Sequence, residues 1–331
     1  QRGNQVYLTI DADLNETAYR ALNGRKGTVA VYNYQTGEIL CLVSSPAYDP
    51  ENVPEDLESD PAYEGAYINR ALRAAFTPGS ILKTVTLHAA IEELPDLFDR
   101  TWTCTGSIQI GDQTVTCTSA HGDETIGQAF SNSCNCVFGL LAVELGADTL
   151  ERYVEQAGLT SSYSVDGIPT LASSIPLEGL SEGQLAWAGV GQAKDSVNPL
   201  SMLVYMGAVA NGGRAAVPRL IHRSDASLIP AGWGARRTGT LIAPDTAQIL
   251  SDMMAYNVTS NYGSSRFGNL DMGAKSGTAE VGADQKPHAW FAGFVREAEH
   301  PYAFVVLVEN GGSGSQAAGD VAAAVLSAAV G

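Results

Sequence analysis

A chain of 331 residues, 45% hydrophobic and 17% charged, can bury a large core and does not have the composition of a disordered segment. Its formal charge of −17 argues against nucleic acid or an anionic membrane surface as the partner. The longest apolar run, residues 200–209, is half of the roughly 20 residues that cross a bilayer, and no signal peptide is visible.

In chain order, the hydrophobic pattern predicts a strand over 5–10, a helix over 14–22 and a hairpin joining 27–31 to 36–40. Residues 46–61 are acidic and turn-rich, as in a surface loop. After Pro78-Gly79, the apolar residues Ile81, Leu82, Val85, Leu87, Ile91 and Leu94 repeat at helical spacing. A second hairpin is expected over 102–117 around Gly111-Asp112. Helical patterns fill 126–158, 183–188, 199–211 and 244–257, with a strand at 216–222. Strands at 272–277, 289–296 and 302–309 are expected at the sheet edge, and 321–330 is a closing helix. There is no repeat and no low-complexity linker, so the pattern reads as one mixed α and β unit.

Three short segments carry chemistry. Ser80 stands at the start of the helix after Pro78-Gly79, where unpaired N–H groups favour negative charge. Lys83, three residues on, projects from the same face and can act as the base a serine hydroxyl needs, if burial lowers its pKa. Lysines are few (26, 83, 194, 275 and 286), and Ser80 is the only serine three residues before one. Further along come Ser133-Cys134-Asn135, ahead of an apolar helical run, and Lys275-Ser276-Gly277-Thr278, ending a strand-like segment. A Ser-x-x-Lys, a Ser-x-Asn and a Lys-(Ser/Thr)-Gly in this order are the signature of penicillin-binding proteins and class A β-lactamases.

Other segments extend the likeness: Gly27 to Val31 with Thr36 to Leu40, the proline-bounded Ser45 to Asn52, Asn69-Arg70-Ala71, and His288 to Phe294. From about Val6 onward, the chain resembles the class B, monofunctional penicillin-binding proteins. The resemblance implies an α/β (α+β) transpeptidase fold: a central antiparallel sheet flanked by helices, plus a mainly helical lobe, in a single domain spanning 1–331. It implies a peptidoglycan D,D-transpeptidase in which Ser80 attacks a D-Ala-D-Ala amide after Lys83 takes its proton. Backbone N–H groups of Ser80 and Thr278 would hold the oxyanion. Ser133 and Lys275 would relay a proton to the leaving D-alanine, and Asn135 would hold the substrate amide, cap the following helix, or do both. Ser276 and Thr278 suit the donor's terminal carboxylate, and Gly277 would leave room for an extended peptide along the strand edge.

The implied partners are peptidoglycan stem peptides, β-lactams as covalent ligands, and a glycan-polymerising membrane protein, with no nucleic acid and no cofactor. The implied location is the outer face of the cell membrane, with an anchor ahead of this sequence. A D,D-carboxypeptidase, a serine β-lactamase and a β-lactam sensor are the alternatives. A β-lactamase needs a group to activate the deacylating water; Glu151, Glu155, Glu178 and Glu182 lie in the right interval, none in the expected sequence setting. The glycine-rich Gly189-Val190-Gly191-Gln192 resembles a family loop and is assigned no chemistry. Trp290 and Phe291 are read as core aromatics rather than groove walls.

Five cysteines exclude a complete disulfide framework. Cys104 and Cys117 flank the second hairpin and are either a disulfide across it or two free thiols. Cys134, between two residues that face the cleft, is expected to point away from it and be structural. The histidines, at 88, 121, 222, 288 and 300, show no ligand spacing, so no metal is expected.

Overall fold

The computed structural model describes residues 4–224, 235–282 and 284–331. The first strand, β1 (Val6–Leu8), leads into α1 (Ala12–Leu22), whose N-cap Asp11 accepts the Leu14 N–H and whose C-cap Asn23 is left-handed. The hairpin β2 (Gly27–Asn33) and β3 (Ile39–Ser45) follows, then the short helix α2 (Arg70–Arg73) and α3 (Lys83–Glu93).

Four short strands come next: β4 (Thr101–Cys104), β5 (Ser107–Ile110), β6 (Gln113–Thr116) and β7 (Gly122–Thr125). The helical lobe comprises α4 (Ile126–Ser131), α5 (Asn135–Leu145), α6 (Ala147–Gln156), the small pair β8 (Ser164–Val165) and β9 (Ile168–Pro169), and α7 (Glu182–Val190). The chain then returns through α8 (Pro199–Ala210), β10 (Ile221–Ser224), α9 (Pro244–Asn257), β11 (Met272–Ala279), β12 (His288–Val295), β13 (Tyr302–Val308) and α10 (Gly319–Val330).

The main sheet is antiparallel throughout, in the order β11-β12-β13-β2-β3. Strands β11, β12 and β13 come from the C-terminal end of the chain and β2 and β3 from the N-terminal end, with the helical lobe inserted between them in sequence. Both faces are covered, which is why its central strands read as unbroken apolar runs. Alternate residues still separate: Ala30, Trp290, Val305 and Leu307 belong to the large core shared with the lobe. Val29, Phe291, Phe304 and Val306 meet Leu14, Leu22, Val321 and Leu326 of α1 and α10 on the other face. Trp290 and Phe291 are both fully buried, as expected of core aromatics.

Three expectations are revised. Of the three late strands only β11 is an edge; β12 and β13 lie inside the sheet. The expected second hairpin is two pairings, β5 with β6 around Gly111-Asp112 and β4 with β7 outside it. The helical stretch 126–158 is broken twice. One break is the turn at Ser133; the other is at Gly146, which ends α5 with positive φ.

Candidate active site

Ser80 lies in a 3₁₀ turn, Gly79–Ile81, immediately before α3. That turn is held from two sides. Gly79 donates its N–H to the Gly191 carbonyl at 2.9 Å, and Trp290 Nε1 donates to the Thr77 carbonyl at 2.9 Å. Gly79 and Gly191 both have positive φ, and a Cβ on Gly191 would stand 2.1 Å from the Gly79 oxygen. The loop that sequence alone left without chemistry is therefore what seats the serine.

Lys83 is fully buried. Its Nζ lies 2.6 Å from the Ser133 carbonyl oxygen, 2.6 Å from Asn135 Oδ1, 3.1 Å from Ser80 Oγ and 3.2 Å from Ser133 Oγ. Burial pushes its pKa down to about 7, against weaker upward pulls from Cys117 and its neighbours. A neutral amine has two protons and one lone pair. The two short contacts use the protons, which leaves the lone pair for the Ser80 hydroxyl.

Ser133 sits in the left-handed region with φ +57°, a conformation uncommon for a residue with a Cβ. The turn arises because Ser133 N–H still bonds the Phe130 carbonyl and Cys134 N–H the Ala129 carbonyl, ending α4 before α5 begins. The N-cap position of α5 falls on Cys134, so Asn135 is the first helical residue and does not cap the helix by its side chain. Its Nδ2 donates to the Thr116 carbonyl at 2.7 Å while Oδ1 accepts from Lys83.

Lys275, also fully buried, donates to Ser133 Oγ at 3.0 Å and to the Ser276 carbonyl at 3.0 Å. Burial, and then the nearness of Lys83, drives its pKa well below the ordinary lysine range. The result is an unbroken polar path: Ser80 Oγ, Lys83 Nζ, Ser133 Oγ, Lys275 Nζ.

The third wall is the open edge of β11. There Ser276 N–H donates to the Tyr262 hydroxyl at 2.9 Å, so Thr278 N–H, two residues on, faces the same side. Thr278 Oγ1 accepts the Gly314 N–H at 3.1 Å. Gly277 is required for a reason other than the one expected: a Cβ there would lie 2.6 Å from the Pro78 carbonyl and 3.1 Å from Ile81, inside the packing that supports Ser80. These walls enclose a cleft of about 1250 Å³ lined by Ser80, Ser133, Asn135, Tyr262, Ser276 and Thr278 among others.

The Penicillin binding protein transpeptidase domain family matches residues 27–330. The chain belongs to that family. Peptidoglycan D,D-transpeptidase PbpA of Mycolicibacterium smegmatis is 28% identical to it, over 98% of this chain and 71% of PbpA. Penicillin-binding protein A of M. tuberculosis, solved as a ceftriaxone acyl-enzyme complex, superposes with a TM-score of 0.90 at 26% identity. The match covers 100% of this chain and 81% of that one. The D,D-transpeptidase domain of a peptidoglycan glycosyltransferase from Eggerthella lenta gives 0.87 at 29% identity, over 99% and 83%.

Beside Ser133, with Cys117 and His121 themselves lining the cleft, this transpeptidase domain holds a cluster that spacing did not reveal. Cys104, Cys117, His121 and Cys134 each offer a ligand atom within 4.8 Å of the others. All five cysteines are free. The Cys117 and Cys134 sulfurs are 3.6 Å apart, near the edge of roughly 3.8 Å that zinc–sulfur bonds of about 2.3 Å give a tetrahedron. His121 Nδ1 and Glu124 Oε2 are buried without hydrogen-bond partners and lie 3.8 Å apart beside the sulfurs. Three thiols and an imidazole suit a four-coordinate thiophilic cation such as Zn²⁺, a grouping of which the histidine spacing gives no sign.

Cys117 also receives the N–H groups of Asn135 and Cys136 at the start of α5. Its pKa lies well below the usual thiol range, first through the Cys134 hydrogen bond; the same bond pushes Cys134 up. Cys134 is fully buried and faces away from the cleft, as expected.

Sequence reasoning missed Tyr262, Gln192, Gly191 and the thiol cluster. A tyrosine fourteen residues before the serine it bonds, or a cysteine seventeen before another, has no local pattern to announce it.

Proposed function

We propose that this domain is a peptidoglycan D,D-transpeptidase working through an acyl-enzyme on Ser80. The observation that carries it is Lys83: buried, shifted toward neutrality, and 3.1 Å from Ser80 Oγ with its other contacts already made. Ser80 Oγ attacks the carbonyl carbon of the D-Ala-D-Ala amide as its proton passes to Lys83. Charge on the carbonyl oxygen is met by the N–H groups of Ser80 and Thr278. As the C–N bond breaks, Ser133, bonded to Lys83 and Lys275, hands a proton to the departing D-alanine amine, and the chain of contacts refills it. The stem peptide's acceptor amine later attacks the ester and returns its proton by the same path. Lys275, Ser276 and Thr278 offer positive charge and hydroxyls to the donor carboxylate, and Asn135 orients the donor amide.

β-Lactams acylate Ser80 in the same way, and their leaving nitrogen stays tethered in the adduct. No helix among the described residues is long and apolar enough to cross a membrane. The family resemblance supports an anchor ahead of this segment, an extracytoplasmic cleft and a glycan-polymerising partner. A structural neighbour is described as a peptidoglycan synthase complex that coordinates polymerization and crosslinking.

One observation favours testing a hydrolytic reading: Glu178 lines the cleft, unlike Glu151, Glu155 and Glu182. Intact-mass analysis with benzylpenicillin separates the two. A persistent adduct on the native protein and none on Ser80→Ala is the expected result. An adduct that vanishes as drug is turned over would make the domain a β-lactamase.

A further inference from the structure

The open edge of β11 is almost fully engaged by the protein's own groups. The Ala274 carbonyl accepts from Asn257 Nδ2 at 3.1 Å, the Ser276 N–H is taken by Tyr262, and the Ser276 carbonyl by Lys275. Beyond these lie the groups an incoming peptide has to use. At Thr278 the N–H is the oxyanion donor, and the carbonyl of the same residue points to the same side of the strand. A peptide acyl group on Ser80 that extends along this edge therefore brings its next amide N–H to the Thr278 carbonyl.

That carbonyl is already occupied. Gln192 Nε2 donates to the Thr278 oxygen at 2.9 Å, and Gln192 Oε1 accepts the Glu280 N–H at 3.2 Å. One side-chain carboxamide thus supplies one donor and one acceptor to two successive groups on the strand edge, as the backbone of an added strand would. Its own backbone cannot move easily, because Gln192 N–H bonds the Trp187 carbonyl and the adjacent Gly191 is seated against Gly79. The side chain is only half-buried, and Thr278 and Glu280 are exposed. It can swing out where its backbone cannot.

We propose that Gln192 is a substrate-mimicking gate: its carboxamide holds the place of the donor peptide's amide, and ligands that pair with β11 must displace it. The gate selects by chemistry. Ligands with a side-chain amide next to the reactive carbonyl compete with Gln192, whereas those without one acylate Ser80 past a closed gate. It also prevents the strand edge from pairing with unrelated extended chains. The inference rests on the transpeptidase reading.

The test measures second-order acylation rates of the native protein, Gln192→Ala and Gln192→Glu with two drugs. Benzylpenicillin carries a side-chain amide; imipenem carries a hydroxyethyl group. Losing two solvent-exposed hydrogen bonds should raise the benzylpenicillin rate roughly three- to tenfold in Gln192→Ala, with a smaller change for imipenem. Gln192→Glu keeps the volume, cannot donate to the Thr278 carbonyl, and should shift the benzylpenicillin rate in the same direction. An unchanged or slower rate with benzylpenicillin in both variants, or an equal gain with both drugs, overturns the gate. Failure of both drugs to acylate the native protein would instead overturn the transpeptidase reading.

Discussion

The sheet and the helical lobe meet at Ser133 Oγ, and they hold their catalytic groups by opposite means. The sheet presents Lys275 and Thr278 on a strand whose partner β12 is itself interior, so regular hydrogen bonding fixes them. The lobe presents Ser133 and Asn135 at a break between two helices, in a left-handed turn with a thiol cluster beside it. One wall is accurate because it is regular. The other is accurate because an irregular turn is held by everything around it, which is how strained residues persist at functional sites.

The largest effect expected is at the junction. Lys83→Met keeps the buried volume and removes the base, and should lower the acylation rate by about 10³-fold, within the range of general acid–base contributions. In the native protein the acylation rate should rise with pH through about 7, because protonated Lys83 has no lone pair for Ser80. That inflection should vanish in Lys83→Met. If it survives, Lys83 is not the titrating base.

Ser133 separates the lobe's two contributions. Ser133→Ala removes the relay hydroxyl and leaves a Cβ in the left-handed region, whereas Ser133→Gly removes the hydroxyl and relieves the backbone. Both should lose about 10²-fold in acylation, and only the glycine variant should melt at or above the native temperature. Equal melting of the two would mean that the turn stores no strain.

The cluster gives a smaller, thermodynamic readout. Zn²⁺ added to the reduced protein at about a hundred times its Kd should stabilise it by roughly 3 kcal/mol, as ligand binding to the folded state requires. A protein carrying Cys104→Ser and Cys134→Ser should show no such shift. On the sheet side, Trp290→Phe loses the hydrogen bond to Thr77 and leaves a cavity where one ring of a fully buried side chain stood, a cost of about 2–3 kcal/mol. The acylation rate should fall a few-fold while the sheet remains intact.

The same contrast governs how much could be read from sequence. β2, β12 and β13 are legible because both faces are buried and every residue reports it. The helix at residues 244–257 is legible at its start because Pro244 opens it. Ser80, Lys83 and Lys275 are legible because a nucleophile and its base must be close in chain or in motif. The thiol cluster is not. Its members are separated by twelve, three and twelve residues and meet only because β4 pairs with β7 outside the β5–β6 hairpin. The packing role of Gly277 is hidden for a related cause: its neighbour across space, Pro78, is about two hundred residues away in sequence and invisible to local pattern.

The contacts that seat Ser80 also bear on how such an enzyme can change under antibiotic selection. A Cβ on Gly79, Gly191 or Gly277 would stand 2.7, 2.1 or 2.6 Å from the carbonyl oxygen of Thr278, Gly79 or Pro78 respectively, so any side chain at this triangle of glycines collides with the backbone. Those routes to drug escape are closed, since each would dislodge the nucleophile along with the inhibitor. Variation is left to side chains that reach the cleft from outside that triangle, Gln192 foremost. Resistance in this domain should therefore evolve by retuning access to the strand rather than by reshaping the turn that carries the serine.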